Sequence, residues 1–197
     1  MPIDEEKRDT LRTFAAVGAG SPLLGLADDG DSDAREAIAG YVEATPGAHF
    51  SKIRDDLSLA TGETQYHLRR LTDTEVLEAS RDGDYKRYFL AGEFDAFERT
   101  ALGYLRRDTC RGMLLGLLKD PTLTGAELAS KIGVSAAAIS SAASEMEAAG
   151  LLEKDGGFEV RKPEAVISLL LRHGRSFDEE TRQFASVAAA LFTYDPN

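Results

Sequence analysis

Apolar residues recur along this chain with two different spacings, and the change from one to the other lays out its elements. SDAREAIAGYVEATPG places Ala37, Ile38, Tyr41 and Val42 at helical intervals behind a capped start at Asp33, and Pro46 with Gly47 stops the run. FSKIRDDL predicts a second short helix, SLAT a tight connection and GETQYHLRRLTD a third helix. In the third, Thr64, His67, Leu68 and Leu71 fall at i, i+3, i+4 and i+7, the stripe that packs on the first two helices. His67 on that stripe reads as a packed, hydrogen-bonded histidine rather than a ligand. VLEAS and YKRYFL then alternate as strands do, around RDGD, an Asp-Gly hairpin signal.

The second half repeats the first. A shift of 75 positions carries Pro46 onto Pro121, Ile53 onto Leu128, Leu57 onto Ile132, Leu59 onto Val134 and Leu71 onto Met146, with Val76-Leu77-Glu78 falling on Leu151-Leu152-Glu153, all without a gap. Core positions and a helix stop returning in one register are what two copies of one supersecondary unit produce. Three helices followed by a two-stranded ribbon make a winged helix. The expected fold is therefore mainly α with small β-wings: two tandem winged helix-turn-helix units plus C-terminal helices. The expected boundaries are an N-terminal arm over 1–32, a first unit over 33–92, a linking helix (FDAFERTALGYLRR) within 93–107, a second unit over 108–162 and C-terminal helices over 163–197. The last helices carry apolar stripes, Val166, Ile167, Leu170 and Leu171, then Phe184, Val187, Ala188, Leu191 and Phe192. They serve either an internal core or a dimer seam.

The face of the third helix opposite its apolar stripe carries the candidate chemistry: Gly62, Gln65, Tyr66, Arg69, Arg70 and Asp73. Gln pairs with adenine, Arg with guanine or phosphate, and Tyr with phosphate or a thymine methyl, so the set suits a major groove. Lys52 and Arg54 on the preceding helix, with Arg81, Lys86 and Arg87 on the ribbon, would reach the flanking backbone. The plain alternative is a solvated helix face and ordinary turn chemistry at Arg81-Asp82, since residues 49–92 hold 7 basic and 8 acidic side chains. The order of elements, rather than bulk charge, carries the reading. The net charge of −11 argues against a polyanionic partner only in dilute salt. With 16 Arg, 7 Lys and no Trp, the composition is that of a halophile's protein, and at about 1 M salt the Debye length is roughly 3 Å.

TQYHLRRL followed by DGDYKRYF resembles the recognition helix and wing of archaeal winged helix-turn-helix transcriptional regulators of MarR/ArsR-like type, especially tandem haloarchaeal ones, over residues 33–192. The resemblance implies sequence-specific binding of double-stranded DNA, the helix of residues 61–73 in the major groove, the wing of 78–90 on the backbone, and a homodimer. One departure stands out: Gly150 follows the third helix of copy two, whereas copy one has Glu75 there. A non-glycine residue in a left-handed helix exit costs about 1 kcal/mol, so the first exit is expected to differ.

The equivalent helix of copy two, SAAAISSAASEMEAAG, turns Ala137, Ser140, Ser141, Ser144 and Glu145 outward and holds no Arg or Lys. Small neutral residues bind phosphate poorly but admit a neighbouring helix, so this unit reads as a packing or dimerising one, with direct DNA contact and an exposed face without a partner as the alternatives. Enzyme readings find no support: GAGSPLLG lacks the lysine and preceding strand of a phosphate-binding loop, and three scattered histidines with one cysteine make no metal or hydrolytic site. No catalytic residue, metal or cofactor is expected. Cys110 excludes an internal disulfide and reads as buried filler in a reducing compartment. The apolar segment 13–30 is too short to span a bilayer and follows an acidic leader, so a cytoplasmic protein with no membrane partner is expected. Two other readings stay open: a winged-helix adaptor of a transcription or other assembly, without base readout, and an effector-responsive regulator with a closed apolar pocket, holding a few polar groups, between the C-terminal helices and copy two, which no motif indicates.

Overall fold

The computed structural model describes Thr10, Thr13, Phe14 and residues 32–191. The arm expected over 1–32, with its targeting-like segment 13–30, lies outside the described residues apart from those three and Ser32. The chain divides into two compact units, Met1–Asp95 and Ala96–Asn197.

The first unit runs α1 (Ser32–Ala44), β1 (Ala48–His49), α2 (Phe50–Asp56), α3 (Thr61–Asp73), β2 (Leu77–Asp82) and β3 (Tyr85–Leu90). The apolar spacing of α1 buries Ala37, Ile38, Tyr41 and Val42 completely or nearly so. They share one core with Ile53 of α2, Leu57 just after it, and Leu68 and Leu71 of α3, where Thr64 and His67 are also buried and complete the stripe read from the sequence. The edge of Phe14 packs on Tyr41. β2 and β3 pair antiparallel from Leu77–Leu90 to Asp82–Tyr85, closing on Gly83-Asp84 with φ of +58° at the glycine. β1, only two residues long, pairs Ala48 with Tyr88 and His49 with Arg87, which makes β3 the middle strand of three. Nothing in the periodicity announces a strand of two residues.

The second unit runs α4 (Ala96–Leu105), α5 (Asp108–Lys119), α6 (Gly125–Ile132), α7 (Ala136–Ala148), β4 (Leu152–Glu153), β5 (Glu159–Val160), α8 (Pro163–His173) and α9 (Glu179–Leu191), with a short 3₁₀ turn at Gly174–Ser176. The helix read as a link, α4, buries Ala101, Leu102 and Leu105 in this unit, and its Tyr104 hydroxyl donates to the Glu145 carbonyl at 3.1 Å. Gly116 faces Leu128 so closely that a Cβ there would lie 2.9 Å from Cδ2, which is why α5 accepts α6 against its surface. Cys110 is buried. On α8, Val166 and Leu170 are buried, whereas Val187 of α9 stands exposed and Phe192 falls outside the described residues. Among the described residues no helix is long and apolar enough to cross a membrane.

The shift of 75 also holds at the level of backbone bonds. His49 and Thr124 cap α2 and α6 by accepting from Lys52 N and Glu127 N. Leu59 N donates to Arg54 O as Val134 N does to Ala129 O, and Val76 N to Leu71 O as Leu151 N to Met146 O. Left-handed residues occur at Ser58 and Gly133, and again at Glu75 and Gly150, with φ of +57° and +75° in the second pair. The expectation of a different exit at Glu75 is thus corrected: Glu75 adopts the left-handed turn without being glycine, because the same 71–76 hydrogen bond must close there.

Candidate nucleic-acid interface

α3 begins where Glu63 reaches back to accept from the Ala60 N–H at 3.2 Å, and ends at Thr74, whose hydroxyl donates to the Arg70 carbonyl. Between these ends the buried stripe fixes the rotation of the helix, so the opposite side is wet. Gln65 and Arg69 are exposed, Tyr66 is 52% exposed, and Arg70 is half-buried because its Nη1 donates to the Tyr66 hydroxyl at 3.2 Å. Tyr66 also rests against the edge of the His67 ring, which ties the outer face to the buried one.

Most of the candidate cations already have a partner. Lys52 Nζ lies 2.8 Å from Asp56, Arg54 2.7 Å from Asp55, and Arg69 Nε 3.6 Å from Asp73. The Tyr41 hydroxyl donates to Asp56 at 2.6 Å, which anchors that carboxylate to the core. The hydrogen bond from Arg54 holds the Asp55 carboxyl below its usual range. Arg81 and Lys86 are exposed on the wing, the Lys86 ammonium lying over the Tyr88 ring at 5.4 Å.

Arg87 does not stand with them. Expected to contact the DNA backbone, it is 2% exposed: Nε donates to Asp82 at 2.5 Å, Nη1 donates to the Gly47 carbonyl at 3.0 Å, and the guanidinium lies over the Tyr85 ring. The reason is β1, which pairs at His49 directly with Arg87 and covers that side of β3. Arg87 ties the wing to the turn after α1.

Two residues not singled out from the sequence belong to this face. Tyr85, 49% exposed at the hairpin turn, stacks at 5.1 Å on His49, the residue that caps α2. The His49 imidazole is pushed below its ordinary pKa by burial first, then by Arg87 and Lys52, which keeps Nδ1 free to accept. The available signal was the two-residue spacing of Tyr85 and Arg87, which puts both on one side of the strand.

In the second unit the outward face of α7 exposes Ala137, Ser140, Ser141, Ser144 and Glu145. Lys154, on its wing, is held by Ser144 and Glu147, and Arg161 by Glu153. A groove of about 760 Å³ runs between α5, α6 and the start of α9, over Leu115, Leu128 and Ile132, with Arg111, Lys119 and Lys131 around it. Asp108, Asp178 and Glu180 also line it, so charged side chains of both signs surround its apolar floor.

Two family models match the chain. One, described as an N-terminal HTH domain, covers residues 32–102, and the other, described as winged helix-turn-helix DNA-binding, covers residues 112–153. No curated protein and no solved structure matches. Fold and matches together show two helix-turn-helix domains in tandem, the second matching a domain of the DNA-binding type.

Proposed function

We propose that this protein is a sequence-specific regulator of transcription whose first unit reads double-stranded DNA. α3 enters the major groove, and the β2–β3 wing lies on the flanking backbone. The observation that carries the reading is the outward stripe of α3: Gln65, Tyr66 and Arg69 exposed on a helix whose rotation is fixed by four buried residues. Gln65 and Arg69 are placed to meet base edges. Arg70, steadied by Tyr66, contacts phosphate or guanine, and Lys52, Arg54, Arg81 and Lys86 contact the backbone. Arg87 drops out of the contact set and positions the wing. The second unit, whose equivalent face is small and carries no cation, serves packing and dimerisation. A two-fold pair of first units supplies the half-site spacing that one short helix cannot specify.

The test is selection of bound duplexes from a random pool by the full-length protein in concentrated potassium salt, followed by affinity measurements on the selected site. Arg69→Ala is expected to weaken binding by about 1–3 kcal/mol and to relax preference at one base position, with Ser141→Ala inside about twofold. Equal losses from both substitutions mean that the second unit also reads DNA. Failure to enrich any duplex supports the adaptor reading.

A further inference from the structure

Six cations of the proposed DNA face are exposed or half-exposed: Lys52, Arg54, Arg69, Arg70, Arg81 and Lys86. Three of them have a carboxylate within 4 Å, from Asp56, Asp55 and Asp73 respectively. The C-terminal end of α3 is an unfavourable place for Asp73. This residue occupies the last turn of α3, where a carboxylate opposes the helix dipole, and its contact there is Arg69. Asp55 is mostly exposed, and its partner is its chain neighbour Arg54.

Resting on the reading of this face as a DNA site, we propose that Asp55, Asp56 and Asp73 are built-in counterions that the duplex displaces, so that binding depends only weakly on salt concentration. A bare cation brought against the duplex, at a phosphate or at a base edge between phosphates, sets free about 0.9 of a condensed counterion, and six of them would give a slope of log K against log salt of about −5. A cation that must first leave its own carboxylate gains less, because the carboxylate left beside the duplex adds a negative charge there that keeps about one counterion condensed. With three such exchanges the slope falls to about −2 to −3. The consequence is a face that loses little affinity as salt rises, and that discriminates against polyanions in dilute salt. Asp56 is the stiffest of the three, since Tyr41 holds it in place and Lys52 must swing away from it.

The experiment is fluorescence anisotropy of a labelled mixed-sequence duplex titrated with the full-length protein over a series of KCl concentrations. It compares the native chain with Asp55→Asn, Asp73→Asn, the double variant and Arg70→Ala. Glu180→Gln, which removes a paired carboxylate of the second unit, controls for net charge. Circular dichroism checks that each variant is folded. Each Asp→Asn change is expected to steepen the slope by about one and to tighten binding about two- to fivefold at low salt. Arg70→Ala is expected to flatten the slope by about one, and Glu180→Gln to leave it unchanged. A native slope near −5, or Asp→Asn slopes equal to the native one, overturns the inference while leaving the DNA-binding reading intact. Absence of binding by every variant overturns that reading and the inference with it.

Discussion

The guanidinium of Arg87 shares an almost dry site with the Asp82 carboxylate and the Gly47 carbonyl, and a charge in such a site tolerates no loss of its partner. Arg87→Ala removes the buried guanidinium that joins Asp82 to the Gly47 carbonyl, so it is expected to destabilise the first unit by about 3–5 kcal/mol in urea unfolding. Its effect on DNA affinity should follow the fraction folded, unlike Arg69→Ala, which leaves unfolding unchanged. Glu75 makes the opposite case. With φ of +57° it holds a conformation that a Cβ disfavours, and the structurally equivalent Gly150 shows what the turn prefers. Glu75→Gly is expected to gain about 0.5–1 kcal/mol in the same assay, and Gly150→Ala to lose about 1 kcal/mol.

At the scale of elements, two histidines couple helices to pH. His49 accepts from Lys52 N through Nδ1 at the start of α2, and burial chiefly lowers its pKa. His173, at the end of α8, is lowered further, to about 4, by burial and then by Arg172 and Arg106. Each native imidazole resists a proton that the unfolded chain accepts near pH 6.5. Stability from these groups is therefore complete above about pH 6.5, falls as pH drops below it, and for His173 stops falling near pH 4. For His173, which is not deeply buried, the loss should be about 1–2 kcal/mol after solvent screening. Thermal unfolding from pH 7 to pH 4 checks this: His173→Gln should flatten the profile of the second unit. His49→Asn, which keeps a capping oxygen, should flatten that of the first.

For the whole molecule, one backbone plan repeated at a shift of 75 carries two different surfaces. The outer face of α3 presents Gln, Tyr and Arg, and that of α7 presents Ala, Ser and one Glu, although both helices bury the same kind of stripe. Stability thus belongs to the stripe that recurs and recognition to the face that does not. Lys131→Ala, which removes an exposed cation from α6, is expected to leave affinity for duplex DNA within about twofold, where Arg81→Ala and Lys86→Ala each reduce the salt slope by about one.

Much of this was legible in one dimension. Helical and strand spacing are properties of a few consecutive residues, so the wet and buried sides of α3, the hairpin at RDGD and the repeat followed from the order of residues alone. Even Lys52–Asp56 and Arg69–Asp73 sit at the i, i+4 spacing that lets side chains meet on a helix. What only the tertiary structure decided involves neighbours far apart in the chain. A strand as short as β1 leaves no period to read, yet its pairing with β3 covers Arg87, and the carbonyl that Arg87 then binds lies forty residues away. Whether a charged side chain meets solvent or the protein depends on what the rest of the chain brings beside it, and no local pattern carries that information.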